Sequence, residues 1–147
     1  MSAIFKKLNL KDHKEILVLN PPESFEPELA ALTDVTIHKD IESLKNIGFS
    51  LAFVTQQAEV DSLARAIAQS TEGDVILWFA YPKASSKNYT CDFNRDTGWA
   101  VLGELGFEGV RQVAIDADWS ALRFRRVEFI KTMTRAKENR LTGKDKD

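Results

Sequence analysis

The sequence predicts an α/β domain of Rossmann-like type, a mostly parallel central sheet that ends in a C-terminal antiparallel hairpin. Three observations predict it. Apolar runs of strand length alternate with segments of helical period over most of the chain. One run, Val75 to Tyr81, is apolar on both alternations and rich in β-branched and aromatic residues, as a strand covered on both faces must be. In the last third, alternating segments around Val113 and Leu122 are separated by about four residues, too few for a crossover helix, so they must pair antiparallel.

Each element has its own local signal. Ile16 to Leu19 is a short apolar run suited to a buried strand, and it ends in Asn20-Pro21-Pro22. Phe25, Leu29 and Leu32 then recur at helical spacing, with Ser24 placed to cap and Pro27 tolerated in a first turn. Val35 to His38 reads as the second strand and Leu51 to Val54 as the third, opened by Gly48 and closed by Thr55, with a brief helical turn over Ile41, Leu44 and Ile47 between them. The clearest helix spans Gln56 to Thr71, where Val60, Leu63, Ala64 and Ile67 share a face, Thr55 stands at the cap position and Gly73 follows the end. After the central strand, Pro82 is a stop and Ala84 to Thr90 is a polar loop. Asp92 or Asn94 is placed to cap a helix in which Trp99, Leu102 and Leu105 share a face and which Gly106 ends, although Gly98 and Gly103 weaken it by ~1 kcal/mol each relative to alanine. In the hairpin, Val110, Val113 and Ile115 precede Leu122 and Phe124, and Arg123 and Arg125 share the opposite face, either solvated or as an anion-binding surface.

Length and composition set the outer bounds. With 147 residues the chain matches one domain of roughly 150, expected over 1–130, followed by a basic, frayed tail over 131–147. Its 44% hydrophobic and 29% charged residues are those of a globular protein. Cys91 is the only cysteine, which excludes an internal disulfide and any multi-cysteine metal site within one chain. Ile4, Phe5 and Leu8 are interrupted by Lys6 and Lys7 and make no leader, and no run nears the ~18 apolar residues of a membrane span. The expected location is therefore cytoplasmic, without a membrane partner. The net charge of −2 is uneven: Met1 to Leu122 carries 11 basic against 18 acidic residues, and the remainder 9 against 4. The acidic Glu138, Asp145 and Asp147 dilute the basic tail, which argues against nucleic acid as a partner.

The familiar catalytic patterns are missing. His13 and His38 have no second ligand at metal-binding spacing, so no metal is expected. Cys91 has no flanking nucleophile motif, and neither a G-x-S-x-G elbow nor a phosphate-binding Walker loop occurs. Asp116 and Asp118 read as turn residues of the hairpin.

The order strand, helix, strand preceded by Thr71-Glu72-Gly73-Asp74, helix and antiparallel hairpin resembles the carboxyl half of an S-adenosylmethionine-dependent methyltransferase. The segments Asn20-Pro21-Pro22-Glu23, Trp78 to Lys83 and Trp119 to Phe124 also resemble an uncharacterised bacterial family of short proteins that carry a domain of unknown function. This second resemblance spans roughly Leu8 to Arg126 and implies no activity. The methyltransferase resemblance implies a ligand held by backbone N–H groups of a glycine-rich turn after the first strand. Here that turn has no glycine, and its two prolines lack N–H donors and fix φ near −65°. Asp40, twenty positions past Asn20, matches a ribose-binding acid but stands without the glycines, so no cofactor is expected.

What the sequence does locate is the carboxyl end of the strands, where open α/β sheets bind ligands. The candidate ligand-binding residues there are Asn20, Pro22, Glu23, Thr55, Tyr81 and Lys83, with Trp119 and Ser120 beside them. Lys83 follows a rigid apolar strand and a proline, which would hold its ammonium where a carboxylate or phosphate can dock. The sequence thus predicts a regulatory or interaction domain of methyltransferase-like fold, acting on a protein partner rather than as an enzyme. Two alternatives stand beside it: a binder of a small anionic ligand centred on Lys83, and a cryptic methyltransferase.

Overall fold

The computed structural model describes residues 3–41, 47–93 and 97–130. Six strands lie in one sheet: β1 (Glu15–Leu19), β2 (Thr36–His38), β3 (Phe49–Phe53), β4 (Ile76–Pro82), β5 (Phe107–Ala114) and β6 (Trp119–Arg126). Their order across the sheet is β2-β1-β3-β4-β6-β5. The first four run parallel, and β6 is antiparallel to both β4 and β5. The fold is the Rossmann-like α/β sheet with a terminal hairpin that the alternating pattern predicts.

Because successive strand residues face opposite ways, a strand apolar throughout must be covered twice. β3 and β4 are buried at every position. On one face, Leu17, Ala52, Leu77, Phe79 and Phe124 pack beneath α3 (Gln57–Ser70) and α4 (Ala100–Glu104), which contribute Val60, Ala64, Ile67 and Leu102. On the other, Ile16, Phe49, Phe53 and Trp78 meet Phe25, Leu29 of α2 (Glu26–Ala30), and Ile4 and Phe5 of α1 (Ala3–Lys7). Helix α1 is an addition to the expected elements. Ile4, Phe5 and Leu8 share one helical face, and the Trp78 indole N–H donates to the Leu8 carbonyl at 2.7 Å, which fixes the segment to the centre of the sheet.

Several expected boundaries and caps shift. Ser24 caps nothing: Glu23–Phe25 forms a 3-10 turn, and α2 runs for only one turn with no side-chain cap. Thr55 is not the cap of α3, because Gln56 takes that place in a reciprocal box with Glu59. Asp92 caps no following helix; its carboxylate accepts the Gln57 N–H at 2.7 Å and so serves α3. Asn94 lies outside the described residues, as do Leu44 of the expected turn and the whole tail 131–147. Pro82 is the last residue of β4 and pairs with Trp119, so the strand reaches one residue further than expected. α4 is a short helix preceded by Gly98, whose φ of +90° and close approach to Phe93 and the Gln57 side chain (2.8 Å to each from an added Cβ) explain the glycine.

Candidate functional site

The chain leaves β1 for β2 on one side and returns to β3 on the other, so the carboxyl ends of β1 and β3 form the point where the strand order reverses. At this point a cleft of about 280 Å³ is lined by Asn20, Ala58, Glu59, Ser62 and Leu63. Asn20 is held in the left-handed region, with φ +54°. The Glu59 carboxylate accepts hydrogen bonds from the N–H groups of Thr55 (2.8 Å) and Gln56 (3.1 Å) and from the Thr55 hydroxyl (3.2 Å). With Asp92 on Gln57, the first turn of α3 already carries two carboxylates.

A larger cleft, about 530 Å³, opens at the carboxyl end of β4. Its floor is Tyr81, Pro82 and Ser120, paired across β4 and β6, and its walls come from the loop after β4: Lys83, Ala84, Ser86, Tyr89, Thr90, Cys91 and Phe93. The Tyr81 hydroxyl accepts from the Gln112 side-chain amide at 2.9 Å, which orients the ring at the cleft floor. Ionic partners of the Lys83 ammonium are absent among the described residues. The Lys83 side chain is half-buried and is the one charged side chain among the described residues of the lining.

The loop is tied down at both ends. Asp118, in the hairpin turn, accepts from the Ser86 hydroxyl (2.8 Å) and the Asn88 amide (3.1 Å), and its backbone carbonyl accepts the Lys83 N–H (2.8 Å). Asp116 in turn accepts the N–H groups of Asp118 and Trp119, the geometry of an Asx turn. At the far end Asp92 bridges to Thr55 and Gln57. Tyr89 packs on Trp119 (ring centroids 4.8 Å) on one side of the sheet and Phe93 on Trp99 (5.1 Å) on the other, so the loop wraps across the end of β4. Burial pushes the Cys91 thiol above its ordinary range, reinforced by the carboxylates of Asp92 and Glu59 and opposed by a hydrogen bond from the Phe93 backbone.

The structure therefore brings Tyr81, Lys83 and Ser120 into one cleft and places Asn20 in another, with Thr55 behind Glu59. Pro22 and Glu23 line neither of these two clefts, and Trp119 lies in the core beneath the loop, 3% exposed, with its indole N–H unpartnered among the described residues. Sequence reasoning missed Tyr89, Cys91 and Phe93 as lining and Asp118 as an anchor. Only tertiary contacts separated by about thirty residues reveal them. The Arg123 and Arg125 pair is not a uniformly solvated face: Arg125 makes two hydrogen bonds to Asp74 (2.8 and 2.7 Å), while Arg123 is half-buried with its Nε unpartnered among the described residues. His38 sits at a strand end against Glu15 (3.0 Å), and His13, partly buried against Phe49, has its pKa lowered by that burial, opposed by nearby Asp12. Among the described residues no group of three or more His, Cys, Asp or Glu side chains could hold a metal, and no helix is long and apolar enough to cross a membrane.

No family model matches the chain, and no curated protein matches it in sequence. Solved structures share its fold. A S-adenosylmethionine-dependent methyltransferase from Aquifex aeolicus superposes with a TM-score of 0.61 at 12% identity, covering 84% of this chain and 88% of that one. The N-methyltransferase NodS from Bradyrhizobium japonicum gives 0.54 at 12% identity over 84% and 92% of the two chains. Magnesium protoporphyrin IX methyltransferase from Synechocystis with bound S-adenosylmethionine gives 0.54 at 11% identity over 84% and 74%. The fold is methyltransferase-like. In the turn after β1, Pro21 and Pro22 offer no N–H, and the Phe25 N–H is taken by the Pro22 carbonyl.

Proposed function

We propose that this chain is a small-ligand-binding domain on a methyltransferase-like scaffold, with an anionic ligand held at the carboxyl end of β4 by Lys83. One observation carries the reading: a half-buried lysine side chain without a carboxylate partner among the described residues stands in the wall of a cleft of about 530 Å³. That volume lies within the ~300–1,000 Å³ usual for small-molecule sites. An ammonium that no carboxylate of the protein neutralises gains a charge-assisted hydrogen bond from an anionic ligand. A thermal-shift screen with phosphates, nucleotides and carboxylates tests it. The expected result is a concentration-dependent rise in Tm with at least one of them, lost in Lys83→Ala. No rise with any anion counts against the reading and favours a domain that acts through its surface on a protein partner.

The shared scaffold favours a second reading, methyl transfer with S-adenosylmethionine bound outside the usual turn. Equilibrium titration distinguishes the two. Saturable binding of S-adenosylmethionine supports the second, and no binding at millimolar concentration removes it.

A further inference from the structure

The cleft around Lys83 discriminates among anions by what surrounds its single charge. Tyr81, Tyr89 and Phe93 bring aromatic side chains to the lining, Pro82 and Ala84 add apolar surface, and Ser120 adds a hydroxyl. A polyphosphate needs several cations or an open helix N-terminus to balance it. Neither is offered here. Lys83 is the only cation among the described residues of the lining, and the first turn of the nearby α3 is occupied by Glu59 and Asp92 from the protein itself. Asp92, next in sequence to the lining residue Cys91, adds negative charge that repels a highly charged ligand.

From this lining we infer that the ligand is a monoanion with a flat ring, an aromatic carboxylic acid, whose carboxylate pairs with Lys83 while its ring lies on the side of the sheet where Tyr81 and Phe93 sit. This rests on the reading of the cleft as an anion site and narrows it to one chemical class. The tethered loop supports it, because the Asp118 and Asp92 anchors fix the aromatic wall before any ligand arrives, which lowers the ordering cost of binding a small, rigid molecule.

Cys91 provides the readout, since it is the only thiol in the chain and lines the cleft. The labelling rate of the full chain with a maleimide at pH 8 is measured with benzoate, indole-3-carboxylate, their neutral amides benzamide and indole-3-carboxamide, ADP or inorganic phosphate present. The two carboxylates are expected to slow labelling in a saturable way. Their amides should bind about fivefold to tenfold more weakly, as expected for loss of one charge-assisted contact. Lys83→Gln should erase the difference between acid and amide, with protection in each protein measured against its own unliganded labelling rate. Stronger protection by ADP or phosphate, lost in Lys83→Gln, overturns the aromatic-acid assignment and leaves the anion site standing. Equal protection by acid and amide in the unsubstituted protein, or no protection by any probe, overturns both.

Discussion

At the scale of single residues, the ion pair between Asp74 and Arg125 is where the loop before β4 meets the hairpin. The two hydrogen bonds from the Arg125 guanidinium hold the Asp74 carboxyl below its ordinary range, against a smaller opposing effect of burial and with added attraction from Arg125 and Arg123. The Arg125 pKa is raised by the same contact, so both partners agree. A carboxyl with a depressed folded-state pKa stabilises the fold above its unfolded value, near 3.9, and loses that contribution as pH falls through the folded value. Both side chains are about one-third exposed, so solvent screening holds the contribution to about 0.5–1 kcal/mol. Urea unfolding at pH 6 and pH 3 should show a smaller acid-induced loss in Asp74→Asn than in the unsubstituted protein, by about that amount. An identical loss in the two proteins would show that the pair contributes nothing. Its neighbour Arg126 works differently, by donating to the carbonyls of Ala68, Thr71 and Gly73 at the end of α3 while its guanidinium covers the Phe107 ring at 4.8 Å. Adjacent arginines of one strand thus stitch the hairpin to two different parts of the chain.

At the scale of elements, the start of α3 concentrates the polar contacts that shape both clefts. Glu59 satisfies two backbone N–H groups and a hydroxyl at once, and the two donors of Thr55 are partly withdrawn from water. Glu59→Ala should cost about 2 kcal/mol in urea unfolding, and Glu59→Gln less, because the amide oxygen remains an acceptor. Equal losses in the two variants would count against the capping role. The helix itself was legible from Val60, Ala64 and Ile67, but its cap was not, because serine, threonine and aspartate lead the cap preferences and Gln56 does not announce itself. Asp92 shows the same limit more sharply. It has the residue type of a cap and is one, yet for a helix that begins thirty-five positions earlier in the chain. The four parallel strands were legible to within a residue or two, since burial on both faces leaves a signal in every residue of β3 and β4, whereas β5 and β6 each begin three residues before their expected first residues, Val110 and Leu122. Lys83 and Tyr81 could be placed because they lie at the end of β4, and Ser120 because it belongs to the hairpin, whereas the wall of Tyr89, Cys91 and Phe93 depends on how Asp118 draws a polar loop inward.

At the scale of the whole molecule, the sheet survives only if both faces are covered, and the two faces are closed by different means. One lies under a fourteen-residue helix with its own capping box. The other depends on short pieces, α1, α2 and the chain between them, none of which is long enough to be stable alone. Phe5 and Leu8 are fully buried and Leu10 nearly so, and the Trp78 indole reaches through the core to the Leu8 carbonyl. Burying three such side chains contributes about 1.5–3 kcal/mol each. Their sum is comparable to the ~5–15 kcal/mol that separates a folded domain from its unfolded chain. Deleting residues 1–10 should therefore abolish cooperative urea unfolding, whereas Trp78→Phe, which removes the hydrogen bond and part of the ring, should keep cooperativity and cost about 2–4 kcal/mol. If the truncated chain instead unfolded cooperatively with a midpoint above that of Trp78→Phe, the amino-terminal segment would be a cover added to a self-sufficient sheet rather than part of its core.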